Sequence, residues 1–258
     1  MTTTMPVATV DPFVDVAATP LLGHDEAMVL AETEFTRMVN LLRALTPDDW
    51  AEPTACALWT VRDMVAHVVG MAEAQASFRQ FAHDVRMARK RDGGAMIDAL
   101  NATQVRERAG ATPSALVDRL AAIAPKAVRA RRRSPSAMRN LVRFKQDPPF
   151  ETERWTYGFL VDTIFTRDTW VHRLDISRGT RRDMVVTAQH DGRVVANVVA
   201  DWARRHGEAF RLTLTGPAGG RWRSRDGGED LELDALDFCW AVAGRSPGDG
   251  LLGTAVPF

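Results

Sequence analysis

Apolar positions at three- and four-residue intervals divide most of the chain into helices. From His24 to Leu45, Met28, Val29, Phe35, Met38, Val39, Leu41, Leu42 and Leu45 keep that spacing, with Glu32, Glu34 and Arg37 between them. The segment is expected as an amphipathic helix with one face in a core. Thr46-Pro47-Asp48-Asp49-Trp50 ends it, and prolines with small residues keep the stretch to Trp59 from continuing as a helix. A second helix is expected from Thr60, where Thr60 and Asp63 have capping-box spacing, towards Arg89 through Val61, Met64, Val65, Val68, Val69, Met71, Ala72, Phe78 and Phe81. Arg91-Asp92-Gly93-Gly94 breaks the pattern before a further helical piece, Ala95 to Arg108. Thr112-Pro113-Ser114 then starts a helix that Leu116, Leu120, Ile123 and Val128 carry to the run Arg129-Ala130-Arg131-Arg132-Arg133. Ser134 to Trp155, with Pro135, Pro148 and Pro149, reads as a long connection. Thr156 to Gly179 reads as the last long helix, through Tyr157, Leu160, Ile164, Trp170 and Leu174, with Gly179 as its C-terminal cap.

Beyond Gly179 the pattern changes. Asp183-Met184-Val185-Val186-Thr187 is a short β-type run, and Asp191 to His206 is an amphipathic helix facing inward with Val194, Val195, Val198, Val199 and Trp202. Phe210 to Thr215 alternates with period two, Gly216-Pro217-Ala218-Gly219-Gly220 has the composition of a hairpin turn, and a second strand begins at Arg221. Asp230 to Gly244 reads as another helix. The expected architecture is mainly α. A poorly ordered tail or extended arm (1–20) precedes a bundle of four main helices with one long crossing connection (21–180), and a small α+β domain follows (181–258).

Composition narrows the classes of function. Hydrophobic residues are 45% and charged residues 26% of the 258 positions, as in an ordinary globular protein. Lys+Arg and Asp+Glu are both 33, and a formal net charge of zero argues against a dedicated nucleic-acid binder. The Arg129 to Arg133 run offers either a phosphate-binding patch or a solvated helix end. Cys56 and Cys239 are far apart and form no C-x-x-C pair, which points to a reducing compartment without disulfides. Cys56 reads as a reactive thiol or a small buried hydrophobe. No secretory signal and no apolar run long enough to span a bilayer is evident, so a cytoplasmic protein is expected.

The candidate chemistry lies on two helices. Asp168 and His172 are four positions apart on the last long helix and project from one face, with Asp175 farther along the same stripe. A carboxylate and an imidazole so placed either grip one ion or form an ordinary polar pair. His67, among apolar neighbours on the second helix, is either a core histidine or a ligand. Together His67, Asp168 and His172 would give three ligands and an open position, as in catalytic zinc sites. His83 should face away from His67, His206 ends a helix where its cation would meet the dipole, and His24 and His190 read as surface capping residues. Walker, dinucleotide and nucleophile-elbow motifs are absent.

Trp59-Thr60-Val61-Arg62-Asp63-Met64-Val65-Ala66-His67-Val68, with Arg167-Asp168-Thr169-Trp170-Val171-His172-Arg173-Leu174-Asp175-Ile176 farther on, resembles the mycothiol-dependent maleylpyruvate isomerase family of DinB-like metal-binding four-helix bundles. Asp237-Phe238-Cys239-Trp240-Ala241-Val242-Ala243-Gly244-Arg245 resembles part of its C-terminal domain. The resemblance implies a divalent metal, usually zinc, held by His67, Asp168 and His172, with Asp175 behind the ligands or at the surface. It implies mycothiol as the low-molecular-weight thiol, a small electrophilic substrate, and isomerisation or conjugation as the reaction. The characterised isomerases carry Glu where this chain has Asp168, one methylene shorter. Arg245 matches an arginine implicated in activity; read by itself it is an arginine at a helix C-terminus. The alternatives are a non-catalytic bundle that binds metal or a small ligand and, less in keeping with the net charge, a nucleic-acid accessory protein.

Overall fold

A computed structural model describes residues 12–90, 95–147 and 149–258. The described residues divide into two compact units, one from 22–185 with 257–258 and the other from 12–21 with 186–256.

The larger unit is built on four helices, α1 (His24–Arg43), α2 (Val61–Ala76), α5 (Pro113–Arg132) and α8 (Phe165–Thr180). Their apolar stripes meet in one core, with Met28, Phe35 and Met38 from α1, Met64, Val65 and Val69 from α2, Leu116 and Leu120 from α5, and Ile176 from α8. A buried ion pair, Glu34 with Arg173 at 2.6 Å, joins α1 to α8. The break after Ala76 was not expected. Ser77 is extended (φ −145°, ψ 114°), and its hydroxyl accepts from the Gln80 amide to start α3 (Phe78–Ala88). The Arg91 to Gly94 break lies outside the described residues. Beyond it α4 (Met96–Arg108) packs on α2 and α3.

The long connection carries α6 (Ser136–Leu141) and an antiparallel pair, β2 (Arg143–Lys145) with β3 (Arg154–Thr156), while Pro148 is not described. The last helix is not uniform. A single turn α7 (Tyr157–Phe159) and a π-helical segment Leu160–Ile164 precede α8. Arg131 donates from Nε to the Val161 carbonyl at 2.8 Å and from Nη2 to Thr166 Oγ1 at 2.8 Å. It is 1% exposed, so the arginine run is solvated only in part. The π segment leaves a carbonyl for it to bind.

In the smaller unit, β4 (Phe210–Thr215), β5 (Gly220–Ser224) and β6 (Glu229–Asp234) form a sheet with β1 (Val14–Asp15), in the order β1-β5-β4-β6. Residues 12–20 are therefore not a loose tail. Val14 and Asp15 pair in parallel with Trp222 and Arg223, and Asp15 caps a short 3₁₀ turn. Residues 1–11 lie outside the description. Phe210, Leu212 and Leu214 face the core. Against them stand α9 (Asp191–His206) and α10 (Ala235–Val242), with Trp202 ring-to-ring with Phe210 at 4.8 Å and Phe238 at 5.3 Å.

Two expectations fail here. Asp183 to Thr187 forms no strand. The Val185 carbonyl is taken by Arg37 and Arg173, and the Thr187 amide by the Asp191 carboxylate at 2.7 Å, leaving no edge to pair. Asp230 to Asp234 is strand rather than helix. Leu231 and Leu233 alternate with acidic residues, and helix starts only where Asp234 accepts from the Leu236 amide. Among the described residues, no helix is long and apolar enough to cross a membrane.

Candidate metal centre

The site begins with the cap of α2. Thr60 Oγ1 accepts from the Asp63 amide and Asp63 Oδ2 accepts from the Thr60 amide at 3.1 Å, a reciprocal capping box that sets the first turn. His67 follows in the second turn and is 2% exposed. Its Nδ1 is 2.8 Å from Gln104 Oε1 on α4; an amide oxygen only accepts, so Nδ1 carries the proton. Gln104 is held in turn. Its Nε2 donates to Met71 Sδ at 3.4 Å, and its carbonyl accepts from Arg108 Nη1 at 2.8 Å. Gly70 makes room for this, because a Cβ there would stand 2.6 Å from Gln104 Cβ.

Asp168 and His172 come from one face of α8. Asp168 Oδ1 is 3.4 Å from His172 Nε2 and 3.7 Å from His67 Nε2. His172 Nδ1 is 3.0 Å from Asp175 Oδ2, and Asp175 is fully buried, so the surface alternative for it is ruled out. Trp59 walls the pair, 5.0 Å from the His67 ring and 6.3 Å from the His172 ring. The imidazoles are almost enclosed (2% and 6% exposed), whereas the Asp168 side chain is 18% exposed and meets solvent.

Burial by itself would raise the Asp168 carboxyl, but the facing His172 and then His67 hold it far below the usual carboxylate range. Burial would lower His172; Asp168 and Asp175 outweigh it and push the imidazole up to about 9. Charge on His172 is therefore favoured by the two carboxylates that face it.

The donor set fits a divalent metal. Four ligands at about 2.0–2.1 Å from a tetrahedral ion stand roughly 3.3 Å apart. The separations of 3.4 and 3.7 Å between Asp168 Oδ1 and the two Nε2 atoms are close to that. Both Nε2 atoms face the carboxylate with Nδ1 already bonded behind, the tautomer a metal-binding histidine needs. His67, Asp168 and His172 thus converge with one donor atom each inside 4.8 Å.

Other sequence candidates fall elsewhere. Arg245 belongs to the smaller unit, where its Nη1 donates to the Ala243 carbonyl at 3.2 Å just beyond α10. Half-buried Cys56 stands close to His172 and Asp175, with one donor atom of each inside 4.8 Å. His83 bonds Glu107 at 2.7 Å. His24 bonds Asp162 at 2.6 Å and His190 is 4% exposed, so neither is a surface cap. His206 lies 4.3 Å from the Trp202 ring, and burial lowers its pKa instead of favouring a cation. Gln104 escaped the sequence reading. It sits 37 residues from its partner, and its only signal is a polar residue in a helix with little apolar periodicity.

Fold and site define a helical-bundle protein in which two histidines and a carboxylate converge. The family of the mycothiol maleylpyruvate isomerase N-terminal domain matches residues 31–177, more than half of the chain, and the protein belongs to that family. A solved mycothiol-dependent maleylpyruvate isomerase is similar over 92% of this chain and 94% of its own, at 17% identity and a TM-score of 0.56. A histidine-to-alanine mutant of a mycothiol-dependent maleylpyruvate isomerase is similar over 91% and 93%, at 16% identity and a TM-score of 0.55. No curated protein matches the chain.

Proposed function

We propose that the protein is a metal-dependent enzyme that uses a low-molecular-weight thiol, mycothiol by family, to isomerise or conjugate a small electrophile. The observation that carries this is the convergence of His67 Nε2, Asp168 Oδ1 and His172 Nε2, each imidazole backed by a buried acceptor. Family membership supports the thiol and the reaction class. In this reading His67, Asp168 and His172 hold the ion, zinc by preference for two imidazoles and a carboxylate. Gln104 and Asp175 fix the two rings, and Trp59 shields them from water. Together the bound ion and thiol would supply reversible sulfur addition to an electron-poor double bond, allowing cis–trans rotation without consuming thiol, or conjugation where addition is not reversed. Asp168, the one donor facing solvent, marks the side from which thiol and substrate enter. Arg245 matches by resemblance an arginine implicated in activity, and Arg245→Ala is expected to lower kcat/KM.

Cobalt-substituted protein tests the reading. Thiol addition should change the visible spectrum of the wild type, and His172→Ala should lose both that change and cis–trans conversion of maleylpyruvate. A protein that takes up metal but whose spectrum and activity ignore added thiol would instead be a non-catalytic binding bundle. No metal uptake, with His172→Ala altering stability alone, would defeat the proposal.

A further inference from the structure

A second set of donors lies on α3 and α4, apart from the centre just described. His83 and Asp84 are neighbours on α3 and Glu107 is on α4, and one donor atom of each lies within 4.8 Å of the others. His83 and Glu107 are partly open to solvent (39% and 29% exposed), with Nε2 and Oε1 2.7 Å apart. Asp84 is different: it is 1% exposed and only half satisfied. Gln80 Nε2 donates to its Oδ1 at 2.8 Å, but Oδ2 has no hydrogen-bond partner among the described residues. Burial raises its carboxyl, against the pull of Gln80 and Arg108. Arg108 does not fill the gap, because its guanidinium is turned to Glu73 and to the Gln104 carbonyl.

A buried carboxylate oxygen with no donor is costly, and burial of a charge is normally met by a counter-charge or a metal. We propose that His83, Asp84 and Glu107 form a second divalent-cation site, for a transition metal such as zinc, that clips α3 to α4. One imidazole and two carboxylates leave such an ion neutralised and match its preference for nitrogen and oxygen donors. The two solvent-facing side chains admit the ion and the buried one anchors it. For both to bind, the 2.7 Å contact between His83 and Glu107 must open to roughly 3.3 Å, within reach of a side-chain rotation. Glu107 lies three positions from Gln104 on the same helix, so the clip would steady the element that backs His67. The site does not depend on the proposed reaction.

Zinc titration of the metal-stripped full chain by calorimetry separates the two sites. Two equivalents are expected in the wild type, and one in each of His83→Ala, Asp84→Asn and His172→Ala. Zinc should raise the Tm of His172→Ala but not of the His83→Ala/His172→Ala double variant. Asp84→Asn keeps the side chain's shape, so a lost equivalent there with unchanged circular dichroism is not a folding failure. A single wild-type equivalent that survives His83→Ala and vanishes in His172→Ala overturns the clip and leaves the bundle centre standing. A single equivalent with the opposite pattern supports the clip and removes the bundle centre. Two equivalents unaffected by His83→Ala and Asp84→Asn, or no uptake at all, also overturn it.

Discussion

His67 and His172 meet at one point with different backing, an amide oxygen behind the first ring and a carboxylate behind the second. Removing either backing frees a ring to turn, so Gln104→Ala and Asp175→Ala are each expected to weaken metal affinity about 10–100-fold, read by chelator competition. Gln104→Glu, which keeps an acceptor, should recover most of the loss; equal affinity in all variants would show that packing alone holds the rings. The metal-free protein carries a pH signature from the same residues. His172 is raised to about 9, so its contribution to stability is full below its ordinary value of roughly 6.5 and is lost as pH rises through about 9. Asp168 is depressed, so its contribution is full above its ordinary value of roughly 3.9 and is lost as pH falls below it. Chelator-treated wild type should therefore gain most over an Asp168→Asn/His172→Gln variant between about pH 4 and 6.5. Parallel Tm curves from pH 3 to 10 would refute this. At this scale the i, i+4 spacing of Asp168 and His172 was legible in the sequence. That Asp168 also reaches His67, and that Gln104 stands behind it, was not, because both contacts cross between helices.

Among the elements, α2 follows its sequence most directly, since the Thr60 and Asp63 cap is local chemistry. Thr60→Ala should cost about 1 kcal/mol in denaturant unfolding. Gly70 illustrates the opposite case. Alanine in mid-helix usually gains up to ~1 kcal/mol over glycine. Here the new Cβ would meet Gln104 Cβ at 2.6 Å and Cγ at 2.7 Å, and such overpacking costs about 1–3 kcal/mol. Gly70→Ala is expected to destabilise the protein and weaken metal binding together; a rise in stability would mean that α4 yields easily. The last helix was read as one uniform α-helix, yet five residues of it are π-helical. Periodicity does not register an inserted residue when Tyr157, Leu160 and Ile164 remain apolar or half-apolar on either phase. The carbonyl released at Val161 is matched by Arg131, which the sequence presented only as one of a run of arginines. A similar limit applies to Glu229–Asp234, where alternation and an N-cap lie within one acidic stretch and only the pairing with β4 marks the boundary between strand and helix.

For the whole molecule, unit boundaries do not follow chain order. Pro257 and Phe258 belong with the bundle: Phe258 stacks on Trp170 at 6.4 Å and Arg167 Nη1 donates to the Pro257 carbonyl at 3.1 Å. Trp170 and Arg167 are 0% and 2% exposed. Deleting Pro257 and Phe258 should lower the stability of the bundle by about 1–3 kcal/mol through the lost bond from Arg167 to the Pro257 carbonyl and the uncovered ring. A Tm unchanged by the deletion would count against this. Residues 12–21 show the same thing at the other end, joining the sheet of the smaller unit from far away in sequence. By itself the sequence determined the helical periods, the N-caps at Thr60 and Thr112, the β4–β5 strand signals and the helix face that carries Asp168 and His172, because each depends on residues within a turn or two of one another. The expected cap at Gly179 instead lies inside α8, whose C-cap is Arg181 in the left-handed region. Only the tertiary structure decided that His67 meets Asp168 and His172, that Gln104 backs its ring, that Arg131 is buried and that Asp84 has an unmet oxygen. Those facts depend on which distant surfaces exclude water together, and no local pattern encodes that.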